Sequence, residues 1–478
     1  MATHKIVVIG AGPAGLAAAH RLAIHRVATT VLEKLDCVGG LSRTIRHKGN
    51  SFDIGGHRFF TKNRLVFSWW QDTLKDDFQV TSRHSTIYYR GKFFHYPISI
   101  SNVLTNLGVF ASMPVCTSYL ASRLFPIKDN STFEAWVINR FGRRLYEIFF
   151  KEYTEKIWGI PCNQISAEWA AQRIKGLSLS VTIRNALAVG KADKVKTLIR
   201  EFYYPPYGCG MMYEKAAQNL SQRAGNIRLN AQVLEVRHKD SHITSVICRD
   251  SQTNNLFEVE GTDFCSSMPL TELVRSLRPQ APPLVLDACD RLKYRSLLMV
   301  YLVIQSPQLF KDNWIYVHSR DVAVSRIQNY KNWSQAMVAD PSTTSLGLEY
   351  FCSQADNLWQ LGDQDAINLA NEDLRKLGII NQEAVIDSLV LRVPDAYPVY
   401  EGNYHTNLVT IKDFISRFEN LQCIGRNGMF RYNNMDHSVL TGFLAARNIL
   451  GGREDIWNVN VDQSYHEELE EEDVAPFG

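Results

Sequence analysis

The 478 residues contain no Cys-x-x-Cys pair and no Cys/His cluster with the spacing of a zinc site. The nine cysteines are scattered and odd in number, which fits buried free thiols in a reducing compartment rather than a disulfide framework. The N-terminus lacks a secretory core: Ile6-Val7-Val8-Ile9 is followed at once by glycine. A cytoplasmic protein, free or membrane-associated, is therefore expected. Excess charge is also missing. Lys and Arg number 52 and Asp and Glu 49, a net of +3, too balanced for a nucleic-acid binder that works through bulk electrostatics. Internal repeats are absent. With 45% hydrophobic and 21% charged residues, disorder and coiled coil are poor fits, and the length allows about three domains.

Charge is missing locally as well. From Tyr96 to Ser122 there is no Asp, Glu, Lys or Arg, while Ile98, Val103, Leu107, Phe110, Met113 and Leu120 recur. The stretch is long enough to span a bilayer, which takes about 20 residues, but too polar to do so. It reads as buried helices of an inserted domain, as a helix that faces lipid in peripheral contact with a membrane or lines a tunnel, or as a self-association surface. Residues 467–473 (EELEEED) read as a solvated acidic tail.

What is present begins with strand, turn, helix, strand: Lys5–Ile9, then Ala14–Ala23, then Thr29–Leu32. Between the first two lies Gly10-Ala11-Gly12-Pro13-Ala14-Gly15. In this context the glycines carry a mechanism. Gly10 permits the turn, Gly12 lets the backbone approach a pyrophosphate, and Gly15 lets helix and strand pack. The helix N-terminus offers N–H groups and partial positive charge to the phosphates. Glu33 closes the second strand, where a carboxylate accepts ribose hydroxyls. The continuation favours FAD over NAD. Gly39-Gly40-Leu41-Ser42-Arg43 carries the chain past an extended cofactor, with Arg43 near the pyrophosphate. Asp53-Ile54-Gly55-Gly56-His57 adds a second glycine pair. Ile424-Gly425-Arg426 precedes a helix over Asp436–Leu450, whose N-terminus suits the flavin's pyrimidine edge. Further strands are expected at Arg228–Val236, His242–Cys248, Ser296–Ile304 and Leu346–Phe351.

Together these motifs resemble the FAD-containing amine-oxidase superfamily, protoporphyrinogen oxidases included, and within it the UDP-galactopyranose mutases. The resemblance rests on GGHRFFTKN (Gly55–Asn63), FFKEYTEKIWG (Phe149–Gly159), YRSLLMVYL (Tyr294–Leu302), SRIQNYKNW (Ser325–Trp333) and IGRNGMFRYNNMDHS (Ile424–Ser438). It implies an α/β fold: a doubly wound, Rossmann-like FAD-binding domain, an inserted helical domain and an antiparallel substrate-side sheet. The expected division gives 1–85, 205–270 and 405–452 to the FAD domain, 86–204 to the mainly helical insert, 271–404 to the sheet and 453–478 to the acidic tail.

The implied cofactor is non-covalent FAD, with NADPH or NADH left open as external reductant. The implied cofactor contacts are Gly10, Gly12, Ala14, Gly15, Glu33, Gly40, Leu41, Ser42, Arg43, Gly56, His57, Val233, Gly425, Arg426, Met435 and Asp436. The implied reaction is ring contraction of a nucleotide- or carrier-linked sugar through reduced flavin N5, without net redox. Tyr153, Trp158, Arg326, Tyr397 and Tyr432 would bind substrate. Arg326, Trp158, Tyr432 and His57 would stand at the reacting centre, with Arg326 holding a substrate diphosphate rather than a protein carboxylate. His57 reads as a structural histidine beside the flavin or as a proton carrier. The alternative function is an oxidoreductase that passes hydride from substrate to flavin; a third is a flavoprotein binding subunit. No metal is expected. A small-molecule substrate is expected and no nucleic acid, and a homodimer is left open. The sequence also departs from the mutase pattern. In the stretch Gln172-Arg173-Ile174-Lys175-Gly176-Leu177 the position expected to hold the loop arginine is not arginine, and Lys175 or Arg184 would have to substitute. Phe60 stands where a second histidine is usual, and Asn434 where an acid is usual.

Overall fold

The structure is a computed structural model and describes residues 4–96, 109–169, 201–223 and 225–460. Lys5–Ile9 is buried at every position but its first, as expected of a strand with helices on both faces. It lies at the centre of a parallel five-stranded sheet. The order is Leu421–Cys423, Asp263–Ser266, Lys5–Ile9, Ala28–Leu32, Gly225–Arg228. Pro13–Ile24, the first helix, is rich in alanine and so lets a second helix, Met435–Ile449, come close. A Cβ on Gly442 would lie 2.2 Å from the Ala14 carbonyl oxygen. The two helix N-termini are thereby brought to the same end of the sheet.

A seven-stranded sheet runs Val385–Pro398, Tyr294–Ile304, Thr344–Cys352, Arg326–Asn329, Trp314–Val317, Ser85–Tyr89, Lys92–His95. Thr344–Cys352 is buried along its whole length. The sheet is antiparallel except where Trp314–Val317 pairs in parallel with Ser85–Tyr89. Ala366, Ala370 and Leu374 of the Asp363–Lys376 helix fill its outer face. The inserted segment contributes helices Val109–Leu124, Phe133–Phe141 and Glu152–Trp158, the last entered through a π-turn at Tyr146–Lys151.

Two expectations are corrected. Arg228–Val236 is not one strand. Asn230 takes φ +58°, which ends Gly225–Arg228 in the parallel sheet and starts Ala231–Lys239 in a separate four-stranded sheet. The nine cysteines are free, but Cys37 and Cys116 are exposed and only the other seven buried. Residues 97–108 of the uncharged stretch, the Gln172–Leu177 loop with Lys175, Arg184 and the EELEEED tail lie outside the described residues.

Candidate active site

The nucleotide end is built by backbone. Gly10 takes φ +97°, a region that disfavours side chains. Gly12 caps the first helix with no side-chain cap, and a Cβ on it would meet only Gly40 Cα, at 3.8 Å. That leaves an open cradle in front of the helix N–H groups. Gly15 has the opposite constraint: its Cβ would fall 1.9 Å from Gly10 O. The Gly40–Ser42 turn is tied to this loop by Gly39 N–H to Ala11 O (2.9 Å).

Arg43, expected at the pyrophosphate, donates from Nη1 to Gly40 O at 2.7 Å and so braces the same turn. Leu41 packs partly buried against the core, and the Ser42 carbonyl faces Cys209 Sγ at 3.1 Å. Glu33 is buried, with Oε2 accepting from Ala11 N–H (2.8 Å) and Oε1 from Leu35 N–H (3.0 Å). A carboxylate oxygen accepts more than one donor, so both retain capacity for ribose hydroxyls. Ala231 N–H bonds to Glu33 O (2.8 Å), which brings the strand carrying Val233 alongside; its ladder is irregular just after Val233.

The far end is equally shaped. Gly425 (φ +79°) donates its N–H to Thr441 Oγ1, and a Cβ there would crowd Ala14 Cβ at 3.1 Å. Asn434 caps the Met435–Ile449 helix in a reciprocal box with His437, and Met435 and Asp436 are buried in its first turn. Gly56 packs against Gln328 and Trp333, where a Cβ would come within 3.2 Å. His57 Nδ1 is buried with no hydrogen-bond partner. Burial, and then the Arg426 and Arg326 charges, hold its pKa down to about 3, so the ring is neutral. The open cradle at Gly12, two adjoining helix N-termini and the orphaned Nδ1 all fit an extended flavin dinucleotide.

A cleft of about 270 Å³ opens beside His57. Trp158, Tyr153, Arg326, Tyr397 and Tyr432, expected at the substrate, all line it, and so does Arg426, expected at the cofactor. The Glu152–Trp158 helix that brings Tyr153 and Trp158 there is pinned twice. Lys156 Nζ donates to the carbonyls of Ser319, Val322 and Val324 (2.6–3.1 Å), and Arg295 Nε donates to Ile157 O at 3.0 Å. Tyr153 stacks on His318 at 4.2 Å. Trp158 is 4% exposed and meets Trp169 and Tyr432 edge-on, with its Nε1 unpartnered. Tyr397 is buried and stacks on Tyr432 at 5.4 Å. Burial, with Tyr432 adding, pushes its pKa up to about 12. Arg426 lies 5.0 Å from each of these two rings and donates from Nε to Asn433 O.

Arg326 requires a correction. Its guanidinium does hold a protein carboxylate, through Nε to Glu349 Oε1 (2.7 Å) and Nη2 to Oε2 (2.5 Å). The strands bearing the two residues are neighbours in register, Arg326 opposite Glu349. Glu349 has no exposed side-chain surface, and Arg326 retains 20% on the cleft side.

Sequence reasoning missed Glu349, although a lone acid inside the apolar run LGLEYFC was a usable signal. It also missed Arg58, Trp169, Tyr316 and Phe351, all at the cleft. Phe60 and Asn434, which replace the family's usual residues, line it too. Asp53, His57 and Cys209 bring ligand-type atoms within 4.8 Å of one another. The carboxylate, however, already accepts from Thr44 and Tyr204 hydroxyls and the Cys209 N–H, and burial raises the Cys209 thiol's pKa. These groups brace the Gly55–His57 loop.

A parallel sheet with a glycine cradle, joined to an antiparallel sheet across an aromatic and arginine-lined cleft, is the architecture of a flavin-binding protein. The family model for flavin containing amine oxidoreductase matches residues 13–450, and the chain belongs to that family. It is 28% identical over 176 residues to a probable UDP-galactopyranose mutase of Klebsiella pneumoniae, covering 35% of this chain and 44% of that one. An L-amino-acid oxidase of Crotalus adamanteus is 22% identical over 324 residues, 62% of this chain and 57% of that one. The chain thus spans about half the length of the curated relatives it matches. Among solved structures, reduced UDP-galactopyranose mutase superposes with a TM-score of 0.82 at 23% identity, covering 97% of this chain and all of that one. A putative protoporphyrinogen oxidase from Exiguobacterium sp. 255-15 gives 0.71 at 16% identity, covering 94% and 99%. The protein is an FAD-dependent flavoprotein of the amine-oxidase type, similar over part of its length to a UDP-galactopyranose mutase and sharing its fold with a protoporphyrinogen oxidase.

Proposed function

We propose that the protein is a mutase-like isomerase acting on a nucleotide- or carrier-linked sugar. The observation that carries this reading is the charge of the cleft. Arg58, Arg326 and Arg426 line it against Asp436 and the Glu349 paired to Arg326, an excess of one cation. An anionic substrate complements that excess. Trp158, Tyr397 and Tyr432 add apolar ring faces on which the CH edges of a sugar or a base pack. Bound reduced FAD would supply a nucleophilic N5. The protein's part is to hold substrate: Arg426 and the cleft-facing edge of Arg326 take the phosphate charge, and the aromatic walls exclude water. His57, kept neutral by burial, presents an orphaned Nδ1 as a hydrogen-bonding group. No role is proposed for NADPH or NADH.

Titration with UDP tests the reading. Arg426→Ala should weaken UDP binding about 10- to 150-fold, the scale of one charge-assisted contact of about 1.5–3 kcal/mol. Equal UDP affinity in wild type and Arg426→Ala would refute it. The Arg326–Glu349 pair favours a second reading. It neutralises the arginine expected to hold a diphosphate, and a less cationic cleft suits an oxidoreductase that transfers hydride from a neutral substrate.

A further inference from the structure

The cleft leaves one feature of the insert unused. The Val109–Leu124 helix buries Val115, Tyr119 and Ser122, which lie at helical spacing on one side. On its other side Met113 is 63% exposed, Leu120 59% and Leu124 73%, with Cys116 exposed between them and Phe125 80% exposed just beyond the helix. The spacing 113, 116, 120, 124 makes one continuous apolar stripe. Isolated exposed apolar residues need no explanation, but a contiguous stripe does.

The only charge on the helix is Arg123, near its C-terminal end. Arg143 and Arg144, each more than half exposed, lie beside its middle, because the Arg144 N–H bonds to Ser118 Oγ and Gly142 abuts the Tyr119 backbone. Residues 109–147 carry Arg123, Lys128, Arg140, Arg143 and Arg144 against Asp129, Glu134 and Glu147, a net of +2, with Arg143 paired to Glu134 and Arg144 to Glu147. Apolar residues on one face and a basic rim are the features of a helix that lies in a membrane interface. No helix among the described residues is long and apolar enough to cross a bilayer.

We infer that this face docks on the surface of a bilayer carrying anionic phospholipid, with the stripe in the acyl boundary and the arginines at the headgroups. The charge decides between this and a second copy of the chain: two such faces would bring like charge together, whereas anionic lipid complements it.

Flotation of the full-length holoprotein with vesicles tests the inference. Vesicles of phosphatidylcholine containing about 30% phosphatidylglycerol should carry wild type upward, and phosphatidylcholine alone should carry several-fold less. About 0.5 M salt should release most of the bound protein. Leu120→Asp/Leu124→Asp should lower partitioning at least about tenfold with flavin content and Tm unchanged, because both side chains are already in water. Leu120→Ser/Leu124→Ser serves if the aspartates disturb folding. Wild type that stays at the bottom with anionic vesicles overturns the inference, as does flotation unaffected by the leucine changes. So does a dimer, seen by sedimentation velocity, that dissociates in the leucine variant while wild type does not float.

Discussion

Replacing Glu349 by glutamine probes the site's most buried charge. Glu349 is fully buried on a strand buried along its whole length, and it accepts from Arg326 Nε, Arg326 Nη2 and Gln328 Nε2. Glutamine keeps the shape but removes the charge and sets an NH2 group against one of those donors. Two charge-assisted hydrogen bonds are weakened, and the Arg326 cation is left uncompensated. Losing one partner of a buried pair costs about 3–5 kcal/mol. Arg326 retains 20% side-chain exposure, so water offsets part of this and the lower end, about 3 kcal/mol, is expected. Urea unfolding of the holoprotein reads it as a fall in midpoint at constant slope. The double variant Arg326→Met/Glu349→Leu should recover about 2 kcal/mol or more relative to the sum of the single variants, since no unpaired charge remains. A loss under about 1 kcal/mol for Glu349→Gln, or simple additivity in the double variant, would refute the argument that this pair is a coupled buried unit.

Three further outcomes are expected. Gly12→Val should yield a folded but colourless protein, because the side chain fills the cradle before the first helix; full flavin occupancy on absorbance would contradict this. Glu33→Ala should weaken FAD binding by about 1–3 kcal/mol, since the adenosine end loses its acceptor and the Ala11 and Leu35 N–H groups lose theirs. His318 is held at a pKa of about 3 by burial and the nearby Lys156 charge. Below pH ~6.5 the unfolded chain binds a proton that the folded chain refuses, so stability falls as pH drops. That loss amounts to about 2 kcal/mol between pH 7 and pH 5, and His318→Gln should flatten the stability–pH curve by about that amount.

The nucleotide-binding half was legible because its determinants are local. Lys5–Ile9, the Gly10–Gly15 turn and the first helix are adjacent in sequence, and each glycine meets the constraint its position implied. The substrate side was legible only as a set of residues. Trp158, Tyr397, Arg426 and Tyr432 do converge, but the stacking of Arg426 against two tyrosines depends on loops far apart in the chain. Pairing decided the rest. Arg326 meets Glu349 because their strands are antiparallel neighbours, a register that no local pattern encodes. The parallel pairing of Ser85–Tyr89 with Trp314–Val317 joins residues more than 220 positions apart, which is why the sheet expected from residues 271–404 also takes in two strands, Ser85–Tyr89 and Lys92–His95, from the start of the stretch expected to be a helical insert.

The most direct test of the account is anaerobic reduction of the bound flavin followed by incubation with a panel of nucleotide sugars, with products and flavin spectrum recorded together. The account predicts interconversion of pyranose and furanose forms of one nucleotide sugar by the reduced enzyme only, with the flavin still reduced at the end and no net electron transfer. No isomerisation of any sugar, together with steady bleaching of oxidised flavin by an amine or another hydride donor, would contradict it.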